Sequence, residues 1–144
     1  MVTPHRAQQS LVIARLTEAF QGVPGVSDDL IRSAVDTVER YQGQQRDVMI
    51  ATMALGDPDS IADEDEFLYG LHRFNVMASR GRAKIIVLAT QEVAMHMPTE
   101  VEVMRDSGLL KSYLGRFCGQ ETTMTLPCLK NGVVETQPGF HRWH

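Results

Sequence analysis

Apolar positions along this chain switch between a helical and an extended period, and the switches mark out its elements. Met1-Val2-Thr3-Pro4 reads as the last part of a β-strand, with nothing ahead of it to complete the strand. Val12, Ile13, Leu16, Ala19 and Phe20 recur at helical spacing, which predicts a helix over 6–20 that Gly22, Pro24 and Gly25 end. Residues 27–32 are polar and read as a connector, and 34–38 predict a short strand. The runs 48–53 and 84–89 are apolar on both faces, the pattern of buried parallel strands. Between them, Asp63 with Glu66 three residues on looks like a capping box opening a helix. Phe67, Leu71, Phe74 and Ala78 would form its core face. Residues 109–117 predict a last helix. The rhythm then breaks: 119–144 are rich in Thr, Gly and Pro, and Asn131-Gly132 suits the turn of a small hairpin over 126–135.

Strands alternating with helices predict an α/β domain with a mainly parallel sheet and an irregular C-terminal tail. A length of 144 residues fits one domain. No run approaches the roughly 18–20 apolar residues of a membrane span, and no signal peptide is visible. Two cysteines are too few for a disulfide scaffold. A cytoplasmic protein is expected.

Charge refines this picture. Fourteen bases against 18 acids give a net charge of −4, where a free-standing nucleic-acid binder is normally basic. Six of the acids lie in DPDSIADEDE, residues 57–66, and the rest of the chain is +2. The acidity is local. Eleven of the bases are arginine; this bias fits genome composition and also suits bidentate phosphate contacts. Asp57, Asp59 and Asp63 lack the glycine and the spaced glutamate of a Ca²⁺ loop. Cys118, Cys128, His141 and His144 are not spaced as a zinc knuckle, so no metal site is expected. His5 and His96 read as lone surface or core histidines, and Met95 and Met97 as core gap-fillers. Trp143 reads as a loosely packed end or a base-stacking side chain.

The segment RFNVMASRGRAKIIV, residues 73–87, concentrates the candidate chemistry. Arg73 and Arg80 are two helical turns apart and share a stripe distinct from the 67/71/74/78 face. Arg80 and Arg82 fall at the helix–strand junction. A guanidinium held there can stabilise charge on a transferred phosphoryl group, and it is equally what a helix C-terminus favours on its own.

With its continuation, this segment resembles motif VI of superfamily 1 helicases. TVERYQGQQRDVMIAT, residues 37–52, resembles their motif V, and VTPHRAQQ, residues 2–9, their motif IV. The order is right and the likeness is greatest to the 5′-to-3′ branch with AAA-type domains. It covers residues 1 to about 118, leaving 119–144 as a tail. The resemblance implies the second, C-terminal RecA-like domain of a helicase, a P-loop NTPase-type fold. In such an enzyme ATP and Mg²⁺ sit between this domain and an N-terminal RecA-like partner, and a single strand of DNA or RNA crosses both. It implies that Arg80 is the arginine finger, with Arg73 supporting it, and that Arg73 and Arg82 belong to the nucleotide-binding set. It further implies that Gly43 and Gln45 lie near the nucleotide, and that Thr3 and Thr37 face the nucleic-acid backbone.

The departures matter as well. Gln45 stands where the family usually has glutamate, which removes a charge but keeps hydrogen bonding. Gly81 replaces a common alanine and is expected to loosen the turn after Arg80. No phosphate loop G-x-x-x-x-G-K-[ST] is present, since none of the three lysines follows a glycine. No apolar strand ends in an Asp-Glu pair. The chain is therefore expected to bind no nucleotide stably alone and to lack ATPase activity without a partner domain. A stand-alone interaction or regulatory module, or a truncated gene product, is the competing reading.

Overall fold

A computed structural model describes residues 1–40, 45–53, 55–130 and 132–144. It divides into two units, Met1–Ser107 and Gly108–His144.

The first unit is built on a four-stranded parallel sheet: β1 (Val2–Thr3), β2 (Asp36–Thr37), β3 (Arg46–Met53) and β4 (Gly81–Ala89), in the order β2-β1-β3-β4. Helices α1 (Arg6–Ala19) and α2 (Asp28–Ala34) connect β1 to β2. Helices α3 (Pro58–Asp63), α4 (Asp65–Tyr69) and α5 (Leu71–Ser79) connect β3 to β4, and α6 (Gln91–Met95) follows. The core joins Val2, Met49, Ala51 and Met53 of the sheet to Ile61, Leu68, Tyr69, Phe74 and Met77 of the helices, all at most 4% exposed. This is the RecA-like α/β arrangement, a parallel sheet flanked by helices.

Several elements depart from the sequence pattern for identifiable reasons. Residues 27–32 are not a connector but open α2. The Ser27 hydroxyl accepts from the Leu30 N–H at 3.2 Å, and Asp28 and Asp29 lie in the first turn, where the helix dipole favours acids. The helix expected from Asp63 is two short ones, α4 and α5, and a third, α3, forms ahead of it in the acidic stretch. Asp57, not Asp63, caps α3 by accepting from the Ser60 N–H at 2.9 Å. A break at Gly70 shifts the buried face, so Leu68, Tyr69, Phe74 and Met77 are inside while Leu71 is exposed. Helix α1 forms as expected, but none of its residues is buried.

The apolar run in β4 is not that of a central strand. β4 is the sheet edge, and Leu88 is 47% exposed. Met95 and Met97 fill no core gap; they are 70% and 63% exposed. No helix among the described residues is long and apolar enough to cross a membrane.

Helix α7 (Val101–Ser112) spans the division between units, beginning earlier than the expected 109, and a π-helical turn follows at Tyr113–Phe117. The second unit is dominated by an antiparallel hairpin, β5 (Gln120–Lys130) and β6 (Val133–Trp143), paired from Gln120↔Trp143 to Lys130↔Val133. The hairpin is far longer than the 126–135 the sequence suggested. Gly132 has φ +81°, as a tight two-residue turn requires; Asn131 lies outside the described residues.

Candidate functional site

Because the four strands are parallel, the sheet has one carboxyl edge and one amino edge, and the candidate residues divide between them. Thr3 and Thr37 are partners in register at the carboxyl ends of β1 and β2. Val2 lies level with Ala51, and Arg46 lies level with Gly81. Five residues of β3 separate those levels, so the two edges are about 17 Å apart.

At the carboxyl edge, polar side chains close over the strand ends. Thr3 is fully buried and its hydroxyl donates to the His5 carbonyl at 3.2 Å. Thr37 is 4% exposed and its N–H donates to Asp36 Oδ1 at 2.8 Å. Both threonine side chains are thus turned inward. The groups around them were not singled out by the sequence pattern. Gln8 donates to the buried Thr52 hydroxyl at 3.1 Å, and Gln9 donates to the Val35 carbonyl at 3.0 Å and to Asp36 at 3.3 Å. The signal was present, since Gln8 is the glutamine of the stretch resembling motif IV.

His5 is not a lone histidine. Its ring stacks on Phe67 with centroids 5.1 Å apart, and its Nε2 lies 2.9 Å from Glu64 Oε2, at ion-pair distance but outside hydrogen-bond geometry. His96 likewise lies 3.3 Å from Asp65 and stacks on Tyr69.

Arg73 also belongs to this edge, in the first turn of α5. Its guanidinium lies 3.8 Å over the Phe67 ring, donates to the Phe67 carbonyl at 3.1 Å, and pairs with Glu39 at 3.4 Å. Burial alone would raise the Glu39 carboxyl. Its own backbone N–H, Arg73 and the Thr37 hydroxyl outweigh burial and hold it below the ordinary value. A cleft of about 200 Å³ opens here, lined by Val38, Glu39, Gly70, His72, Arg73 and Val76.

At the amino edge the structure brings Arg80, Gln45 and Arg82 together. Arg80 follows the last turn of α5, and its carbonyl accepts from the Arg46 N–H at 3.0 Å, next to the exposed Gln45. Arg82 pairs with Asp47 at 2.9 Å in an open surface bridge. Arg80 is in no ion pair among the described residues, and its Nε is buried without a hydrogen-bond partner. Gly43 lies outside the described residues.

Gly81 does more than loosen a turn. Between Arg46 and Val48 of β3, their partners on β4 step from Gly81 to Lys84, so β4 carries one extra residue, a bulge. The Lys84 carbonyl folds back, and a Cβ at position 81 would stand 2.8 Å from it. Glycine is what lets the chain pass there.

A parallel sheet in this strand order, flanked by helices, defines a RecA-like domain of the P-loop NTPase class. The family model described as AAA domain matches residues 1–92, a span that runs from β1 into α6. The chain belongs to that family, and the match supports a helicase-type domain of this class.

Proposed function

We propose that this chain is the C-terminal RecA-like half of a superfamily 1 helicase. Residues 1–118 form that domain, and 119–144 are an appended tail. Arg80 supplies the arginine finger for ATP held by an N-terminal RecA-like partner, in the same parent chain or a separate one. The observation that carries this reading is the contrast among three arginines of one segment, residues 73–82. Arg73 and Arg82 are ion-paired within the chain, whereas Arg80 has no such partner among the described residues and leaves a buried Nε unsatisfied. Of the three, Arg80 is the one whose charge is not engaged in an ion pair among the described residues and is left for a phosphate brought by another domain.

The residues present do not fit a nucleotide site complete in itself, because the chain has no phosphate loop. ATP and Mg²⁺, when held by the partner, supply the phosphoryl group and its counter-charge. Arg80 adds a fixed positive charge at one side. Gln45 and Arg82 border the same edge, and Arg73 positions α5. Thr3 and Thr37 lie at the opposite edge, where ligands meet open parallel sheets. A single strand of DNA or RNA runs along that edge, contacting the backbone around them.

The test is reconstitution. The chain alone should show no ATPase activity above background. Supplied with an N-terminal RecA-like domain carrying a phosphate loop, together with single-stranded nucleic acid, it should raise ATP turnover. Arg80→Ala should remove about 10³-fold or more of that stimulation. Full ATPase activity of the isolated chain, or stimulation that survives Arg80→Ala, defeats the proposal.

A further inference from the structure

The cleft between the turn after β2 and the first turn of α5 has no task in the reading above. We propose that it receives one nucleobase of the bound single strand, with a preference for bases carrying an exocyclic amino group. This rests on the carboxyl edge being the strand-binding side.

Position is the first argument. Val38 and Glu39 directly follow Thr37 at the end of β2, and Gly70, His72 and Arg73 begin α5. α5 leads into β4, so its first turn lies at the carboxyl edge. A strand whose backbone passes Thr37 carries its bases past this opening.

Size is the second. About 200 Å³ falls below the roughly 300–1,000 Å³ typical of sites for drug-sized ligands. That is the scale of a single flat base and not of a whole nucleoside triphosphate.

Chemistry is the third. Val38 and Val76 give apolar walls against which a ring can lie, and the exposed His72 also lines the cleft. The polar rim is one acceptor and one donor, Glu39 and Arg73. Arg73, the Glu39 backbone N–H and the Thr37 hydroxyl engage this carboxylate, which offers about four lone-pair sites, so about one acceptor site remains. Glu39 is ionised at neutral pH, its carboxyl being held below the ordinary value. An ionised acceptor favours the amino N–H of cytosine, adenine or guanine. It disfavours thymine and uracil, whose single ring N–H sits between two carbonyls.

The test uses the full chain and short fluorescent strands of oligodeoxycytidine, oligothymidine and an abasic equivalent, titrated by anisotropy at low salt. Wild type should bind the cytidine strand about three- to tenfold more tightly than the abasic one, with thymidine between them. Val76→Phe fills the cleft and should bring cytidine binding to the abasic level. Glu39→Gln, a half-exposed substitution that leaves the core untouched, should close the gap between cytidine and thymidine. It serves as the second variant if Val76→Phe lowers the melting temperature. Equal binding of all three strands by wild type, or a cytidine preference unmoved by Glu39→Gln, overturns the base site and leaves the strand-binding reading standing. No binding to any strand overturns that reading and this proposal together.

Discussion

Gly81→Ala restores the residue common in the family that the motif resembles, yet it should destabilise this chain. Where the backbone is compatible, replacing glycine by alanine stabilises by about 0.4–1 kcal/mol through the unfolded state. Here the added Cβ would stand 2.8 Å from the Lys84 carbonyl oxygen and 3.4 Å from both the Lys84 carbonyl carbon and Met49 Cβ. The nearest obstacle is backbone, so no side-chain rotation relieves it. Either the bulge between Gly81 and Lys84 opens or β4 shifts against β3. Overpacking of this kind costs about 1–3 kcal/mol, which leaves a net loss of about 1–2 kcal/mol. For a domain of this size that is a fall of roughly 4–8 °C in melting temperature. Thermal unfolding by circular dichroism, with the urea midpoint as a second probe, reads it directly. Gly56→Ala is the control, since an added Cβ there meets nothing within 4 Å; it should be neutral. A Gly81→Ala variant that melts at or above wild type would refute the bulge as drawn and the account of why glycine stands there.

Three further outcomes follow from the same geometry. Glu39 has a lowered carboxyl pKa in the folded chain, so its contribution is present above the unfolded value near 4.5 and lost as pH falls through the folded value. Urea titrations between pH 6 and 3 should lose less stability in Glu39→Gln than in wild type, by a few tenths of a kcal/mol at most, because the pair with Arg73 is half-exposed; identical pH profiles would dismiss the pair. Tyr69→Phe removes a buried bond in which the phenol donates to the Val93 carbonyl at 2.7 Å, leaving that carbonyl unsatisfied, and should cost about 1–3 kcal/mol in chemical denaturation. Burial, with the charge of Asp65 adding to it, pushes the Tyr69 phenol up to about 12, so its ultraviolet titration should lag that of an exposed tyrosine. Ser27→Ala should cost about 1 kcal/mol through the lost cap of α2, and an unchanged urea midpoint would argue against that cap.

What the sequence revealed and concealed follows from how local each signal is. β3 was legible because six consecutive apolar or small residues between turn signals leave few alternatives. β4 was legible as a strand but not as an edge, since an apolar run does not say how many neighbours it has. α2 was hidden by its polar composition, although Ser27, Asp28 and Asp29 are a helix start in themselves. The break at Gly70 was invisible because one glycine is compatible with a continuous helix, and missing it moved the expected core face onto Leu71. At the site, the arginines were found by motif, but which of them is unpaired was not. Glu39 reaches Arg73, and Glu64 reaches His5, across long stretches of chain that only the fold closes.

The two edges are joined by α5 and by the β3–β4 ladder. α5 has nine residues and is about 13 Å long, with Arg73 in its first turn and Arg80 just past its last. β3 runs the same span, with Arg46 bonded to Arg80 at one end and Thr52 bonded to Gln8 at the other. From Val48↔Lys84 to Met53↔Ala89 the β3–β4 ladder is unbroken, and the single irregularity lies between Arg46 and Val48. The one irregular joint of that ladder, the bulge, therefore lies at the amino edge, one residue from Arg80. Glycine at position 81 keeps that joint open. A Cβ there would meet the Lys84 carbonyl at 2.8 Å, so Gly81→Ala should disturb the chain beside Arg80 while leaving the Thr3 end of the sheet, about 17 Å away, in place.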